Sequence, residues 1–114
     1  MTTYDNLPVY KASYDLLIKI FVAVKNFSKE YKYTLGDVIK KEAISLITNI
    51  YKANGKTERN KNIALAREKT ELIRLYFRLC KDMKVISLNK YIEVSTVLED
   101  ISKQLTARDK STKE

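Results

Sequence analysis

The stretch Leu65-Ala66-Arg67-Glu68-Lys69-Thr70-Glu71-Leu72-Ile73-Arg74-Leu75-Tyr76-Phe77-Arg78-Leu79-Cys80-Lys81-Asp82-Met83 decides the fold class. Leu65, Leu72, Tyr76, Leu79 and Met83 recur in a heptad-like order, the signature of a long amphipathic helix. The segment runs from Thr57 or Asn60 to Lys84, the longest periodic stretch in the chain.

Three more helical segments surround it. Upstream, Leu35, Ile39, Ala43, Leu46, Ile50 and Ala53 form a stripe that Thr34 is expected to cap, with Asp37 completing a variant capping box. Asn54-Gly55 ends that helix, since both residues tolerate the left-handed conformation. Before it, Pro8–Phe27 carries Tyr10, Tyr14, Leu17, Phe21 and Val24 at spacings of three and four, widened by Ile20 and Phe27. Downstream, Ser87 caps a last helix with the stripe Tyr91, Leu98, Ile101 or Ser102, and Leu105, while Val85-Ile86 cover the bundle end. Residues 28–33 break the pattern, and from residue 108 the chain turns polar. The expectation is an all-α, antiparallel up-down-up-down four-helix bundle over 1–107, with a disordered polar tail over 108–114. Connections this short make consecutive helices antiparallel neighbours. Two Gly and one Pro in 114 residues leave the helices uninterrupted and argue against a turn-rich β fold.

Composition narrows the function. With no His and one Cys, there is neither a near-neutral general base, nor an intrachain disulfide, nor the ligands of a structural zinc site. The paired carboxylates Glu68/Glu71 and Glu99/Asp100 lie outside the apolar stripes, and Gly36 and Gly55 are too far apart to cradle a phosphate. Cys80 lies beside Arg78 and Lys81 but in phase with apolar residues, which reads as a buried small hydrophobe. We therefore expect no enzyme, no cofactor and no small-molecule substrate. No apolar run is long enough to span a membrane and no signal sequence opens the chain, so the expected setting is cytoplasmic, without a membrane partner.

The formal net charge is +8, from 22 basic and 14 acidic residues, which favours a polyanionic partner. Residues 52–84 hold ten bases and four acids, or +6 of that total. Arg67, Arg74, Arg78 and Lys81 fall on one helical stripe, expected to lie roughly opposite the apolar one. With Arg59 and Lys56 they are the candidate nucleic-acid-binding residues, because guanidinium groups match phosphate in a bidentate fork. The competing reading is a solvated face laced by Arg67–Glu71 and Arg78–Asp82 pairs. Tyr31 and Tyr33, beside Lys29 and Lys32, are the best candidates for base stacking. Tyr14, Ile18, Tyr51 and Phe77 lie off the main stripes and suit assembly contacts.

Several ordered fragments are similar to one known family: Leu7-Pro8-Val9-Tyr10 with Tyr14, Leu16 and Leu17; Phe27-Ser28-Lys29; Tyr33-Thr34-Leu35-Gly36-Asp37 with Ile39; Ala53-Asn54; Glu71-Leu72 with Arg74, Arg78, Leu79 and Asp82; and Ser87-Leu88 with Tyr91. Together, over roughly residues 4–106, they resemble the accessory variability determinant (Avd) of diversity-generating retroelements and its four-helix bundle relatives encoded in ribosomal intervening sequences. The resemblance implies a positively charged, barrel-like homopentamer without an active site. It also implies binding to a reverse transcriptase and its template RNA or cDNA in support of mutagenic reverse transcription. Arg74 and Arg78 match the family's recurrent arginines, and Gly36 a close-packed helix start. One departure is Leu105-Thr106-Ala107-Arg108, where many members carry a Trp. The alternative is a homo-oligomeric structural or protein-interaction bundle with no nucleic-acid role.

Overall fold

The computed structural model describes residues 8–55 and 58–113. They form α1 (Pro8–Lys25), a single turn α2 (Lys29–Lys32), α3 (Leu35–Ala53), α4 (Arg59–Asp82) and α5 (Leu88–Lys113). There is no strand among the described residues. The four long helices close a ring in which α1 packs on α3, α3 on α4, α4 on α5 and α5 back on α1. Opposed registers run along these seams. Arg67 meets Asp109 while Arg74 meets Glu99, so the numbers fall on α5 as they rise on α4. Val9, Ala53, Arg59 and Leu105 gather at one end, and Ala23, Asn26, Val85, Ile86 and Lys90 at the other.

The core is built from branched and aromatic side chains on all four helices. Leu16 and Ile20, Ile39 and Leu46, Ile73 and Phe77, and Leu98 and Ile101 are all fully buried. Each contributes about 1.5–3 kcal/mol relative to exposure. On α3 the buried face is the expected one from Ile39 to Ala53. On α5 it is Val94, Leu98, Ile101 and Leu105, with Tyr91 partly buried against it.

On α1 and α4 the buried face differs from the periodic stripe. α1 buries Val9, Ser13, Leu16, Ile20, Ala23 and Val24, while Tyr14 and Phe21 are exposed. α4 buries Ile63, Ala66, Thr70, Ile73, Phe77 and Cys80, while Leu79 and Met83 are exposed. Phe77, expected to lie off the stripe, is a core residue; Ile18 and Tyr51 are exposed as expected. The reason is local. From Leu16 to Val24 only Lys19 is polar, so two helical phases are equally apolar. Packing selects the phase with small residues at the helix contact. Ser13 and Thr70 enter the core because their hydroxyls bond back to the carbonyls of Tyr10 (2.9 Å) and Ala66 (2.8 Å).

The helix ends also depart in part. Ser87 does cap α5, its Oγ accepting the Lys90 N–H at 3.1 Å. Thr34 does not cap α3. Its Oγ1 donates to the Glu30 carbonyl at 2.9 Å and closes the turn after α2, while Asp37 pairs with Lys40. Asn54 ends α3 in the right-handed region, with φ −77°. Left-handed residues flank α4 instead, Glu58 (φ 55°) before it and Lys84 (φ 62°) after it, where the Val85 N–H reaches the Cys80 carbonyl at 2.8 Å in a Schellman-type end. The polar tail read from residue 108 is helical through Lys113. Arg108 lines the end cavity and Asp109 pairs with Arg67, so the helix has partners past its last core residue, Leu105.

Gly36 sits where α3 begins against the end of α1. A Cβ there would lie 2.6 Å from Val24 Cγ1 and 3.2 Å from the Tyr31 carbonyl oxygen. Val24 is buried and β-branched, so it has little room to rotate away. Gly36→Ala is expected to destabilise the chain by about 1–3 kcal/mol through overpacking, read as a lower urea midpoint at unchanged m-value. An unchanged or raised midpoint would show that the corner relaxes freely.

Candidate nucleic-acid interface

The rotation of α4 places its basic stripe. With Ile73 and Phe77 inward, Arg67, Arg74, Arg78 and Lys81 lie about 80° from the core direction rather than opposite it. They therefore flank the seam with α5, whose acidic residues meet them. Arg67 Nη1 bonds Asp109 Oδ2, and Arg74 Nη1 bonds Glu99 Oε1 at 3.0 Å. Arg74 Nε also lies 3.8 Å from Glu71, and Lys81 Nζ is 3.7 Å from Asp82. Arg67 thus pairs with Asp109 rather than Glu71, and Asp82 with Lys81 rather than Arg78.

Four bases thus stand beside four acids, Glu71, Asp82, Glu99 and Asp109, and the seam is close to neutral as it folds. These pairs are partly exposed, with side-chain exposures of 44% for Arg67 and 37% for Arg74. Ion pairs of this kind contribute about 0–1 kcal/mol and are screened by salt. A phosphate can therefore compete for the same guanidinium groups.

The four stripe residues differ in what they offer. Arg78 is exposed and makes no ion pair among the described residues. Arg74 carries two buried donors, Nε and Nη2, without a hydrogen-bond acceptor. Lys81 lies over the Tyr91 ring, 5.0 Å from its centroid, which fixes its ammonium at the seam. Arg59 stands apart from this group. Its Nη1 donates to the Ala53 carbonyl at 3.1 Å, at the end of the bundle near Arg108. Burial, then the nearby Arg59 charge, hold the Arg108 guanidinium below its ordinary pKa. Lys56 lies outside the described residues. The structure thus brings together Arg67, Arg74, Arg78 and Lys81, and leaves Arg59 at a different place.

The tyrosines divide as well. Tyr31 packs against the core, while Tyr33, two residues on, is exposed. Among the described residues no group of three or more His, Cys, Asp or Glu side chains is placed to hold a metal ion, and no helix is long and apolar enough to cross a membrane.

These features sit on a chain whose residues 8–112 match the sequence profile of the bAvd-like family. The chain belongs to the bAvd-like family. The match spans all four long helices, from the first residue of α1 to the penultimate residue of α5. No curated protein matches the chain. Within this bAvd-like bundle the seam arginines Arg74 and Arg78 are one turn apart on α4, and both are within reach of solvent.

Cys80 is no part of such a surface. It is fully buried in the bAvd-like core, and burial raises its thiol pKa to about 11. Its neighbours Arg78 and Lys81 point elsewhere and do not activate it. Because the thiolate is the nucleophile, a disulfide reagent at pH 8 is expected to label Cys80 only as fast as the chain opens. Labelling should become rapid in denaturant. Fast native-state labelling would place Cys80 at an accessible site.

Proposed function

We propose that this chain is the non-catalytic accessory protein of a diversity-generating retroelement, assembling as a homo-oligomer, a pentamer by family resemblance, that binds template RNA or cDNA together with the reverse transcriptase. The observation that carries this reading is the family match over residues 8–112. A net charge of +8 per chain supports it, because a ring of such chains multiplies weak phosphate contacts. Arg67, Arg74, Arg78 and Lys81 are the proposed phosphate contacts on the seam. Arg78 is open to a ligand from the start. Arg67 and Arg74 reach phosphate by exchanging Asp109 and Glu99 for it. Arg59 would add charge away from the seam, and Lys56 is a further proposed contact.

The outward face of α1 supports assembly. Tyr14 and Ile18 lie on the side of α1 opposite its buried residues, and Ile44 and Tyr51 are exposed on the neighbouring α3. Solvated side chains of this size, grouped together, suit a contact between copies. The same face would serve the alternative, an assembling bundle with no nucleic-acid role, and the two readings separate on binding.

Two outcomes test the proposal. Binding of a structured RNA should weaken steeply as salt rises from about 50 to 200 mM, and Arg74→Ala with Arg78→Ala should cut the logarithmic salt slope by about 1.5–2. A protein that binds no RNA at low salt is not this accessory protein. Ile18→Glu should convert the assembly to monomer by light scattering while helicity by circular dichroism is retained, since Ile18 is exposed. An assembly that survives the change uses another face.

A further inference from the structure

The corner where α1, α2 and α3 meet has a different make-up from the arginine seam. Here Phe21, Val24, Lys25, Lys32, Tyr33 and Lys40 line a groove of about 460 Å³. Lys25 and Lys32 make no ion pair among the described residues. Lys40 is held between Asp37, 3.6 Å away, and the Phe21 ring, 5.3 Å from its centroid. Three bases therefore face one acid, whereas the four seam bases face four. Uncancelled positive charge and open aromatic surface coincide in this groove. Tyr33 is 64% exposed and Phe21 42%. The buried Val24 gives the groove an apolar floor.

Cations flanking an exposed ring form a surface that takes an unpaired base with its phosphates. The ring offers a face to any base, the lysines track the backbone, and a duplex cannot present a base face to it. We propose that this corner groove binds single-stranded nucleic acid, stacking one unpaired base on Tyr33 against the Phe21 wall and setting the adjoining phosphates on Lys25 and Lys32. The proposal rests on the reading that the chain binds nucleic acid. It adds a second site of different selectivity. The seam answers to charge density, and the corner requires bases that are out of a helix.

Tyr33 holds its place through the backbone rather than through its side chain. It ends α2, its N–H directed at the Tyr31 carbonyl, while the core contact at this corner is made by Tyr31. Replacing Tyr33 therefore removes an exposed ring and leaves the packing of Val24, Phe27 and Gly36 in place.

The test is fluorescence anisotropy with the full-length chain and a labelled oligouridine of about twelve nucleotides, set beside a blunt duplex of equal length and a structured RNA. Tyr33→Ala is expected to weaken oligouridine binding about tenfold or more, and Tyr33→Phe to preserve it. Lys25→Ala with Lys32→Ala should lower the salt slope on the single strand by about 1.4. Duplex binding should be indifferent to Tyr33→Ala. If wild type and Tyr33→Ala bind oligouridine equally while structured RNA still binds, the corner site is wrong and the proposed function stands. If neither RNA binds, both fall. If the lysine pair matters, Tyr33 does not, and polyglutamate competes as well as oligouridine, the groove is a surface for acidic polypeptide and the inference is overturned.

Discussion

Ile73 and Phe77, both fully buried, hold α4 at one rotation about its axis, and most of what the surface offers follows from that rotation. α4 touches both α3 and α5, so its inward stripe has to fit two neighbours at once. The stripe that fits runs Ile63, Ala66, Thr70, Ile73, Phe77, Cys80, alternating spacings of three and four. Its small members let the helices approach, and its three large ones, Ile63, Ile73 and Phe77, fill the space between them. The rival stripe of Leu65, Leu72, Tyr76, Leu79 and Met83 is more uniformly bulky. Placed inward it would strand Phe77 in solvent and bring large side chains to every contact. One packing choice thereby moves four basic residues from an open face to the α4–α5 seam.

That move changes the chemistry of the arginines. On an open face Arg74 and Arg78, one turn apart, would repel each other with nothing gained. At the seam Arg74 finds Glu99 and Arg67 finds Asp109, and the helix tolerates the cluster. The Arg67–Asp109 pair anchors α5 one turn past its last core residue, Leu105. A polar C-terminal run reads as a tail because nothing in its own sequence asks for helix. Asp109 is held from outside, by an arginine 42 positions earlier in the chain.

What the sequence made legible, and what it did not, follows the same physics. α3 was readable because its apolar residues are spaced at three and four with polar residues between, so one phase stands out. Cys80 was readable as a small buried hydrophobe because it borders the apolar stripe, although the face that buries it is the neighbouring one with Ile73 and Phe77. Gly36 was readable as a close approach, and the 2.6 Å that a Cβ would leave to Val24 is the reason. α1 and α4 were misphased by one step because apolar residues crowd both candidate faces, and because Ser13 and Thr70 look polar while satisfying themselves on their own helices. Thr34 has a capping residue's identity at a capping residue's position, but the turn that follows α2 takes its hydroxyl first. The stripe of four bases was legible as a cluster, whereas its acidic partners were not, because they come from another helix.

The misphased α1 stripe is informative in its own right. Tyr10, Tyr14, Leu17 and Phe21 form a coherent apolar series that the monomer's core does not consume in full: Tyr14 and Phe21 remain exposed, with Ile18 and Val22 beside them. A chain with this much helix-phased apolar surface left over behaves as though a further layer of packing were still to come. The bundle is accordingly two-sided. Its α1–α3 side exposes aromatic and aliphatic residues and ends in the lysine-flanked corner at Tyr33, while its α4–α5 side carries the ion-paired seam beside exposed Leu75, Leu79 and Ile92. Contact between copies through Tyr14, Ile18 and Tyr51 would leave both the Tyr33 corner and the paired side open on every copy. Ion pairs that are individually weak would then be repeated around the assembly, where a polyanion can exchange with many of them at once. In that arrangement the near-neutrality of each seam is no obstacle to binding. It would keep the arginines ordered and separately addressable for a phosphate that took the place of Glu99 and Asp109.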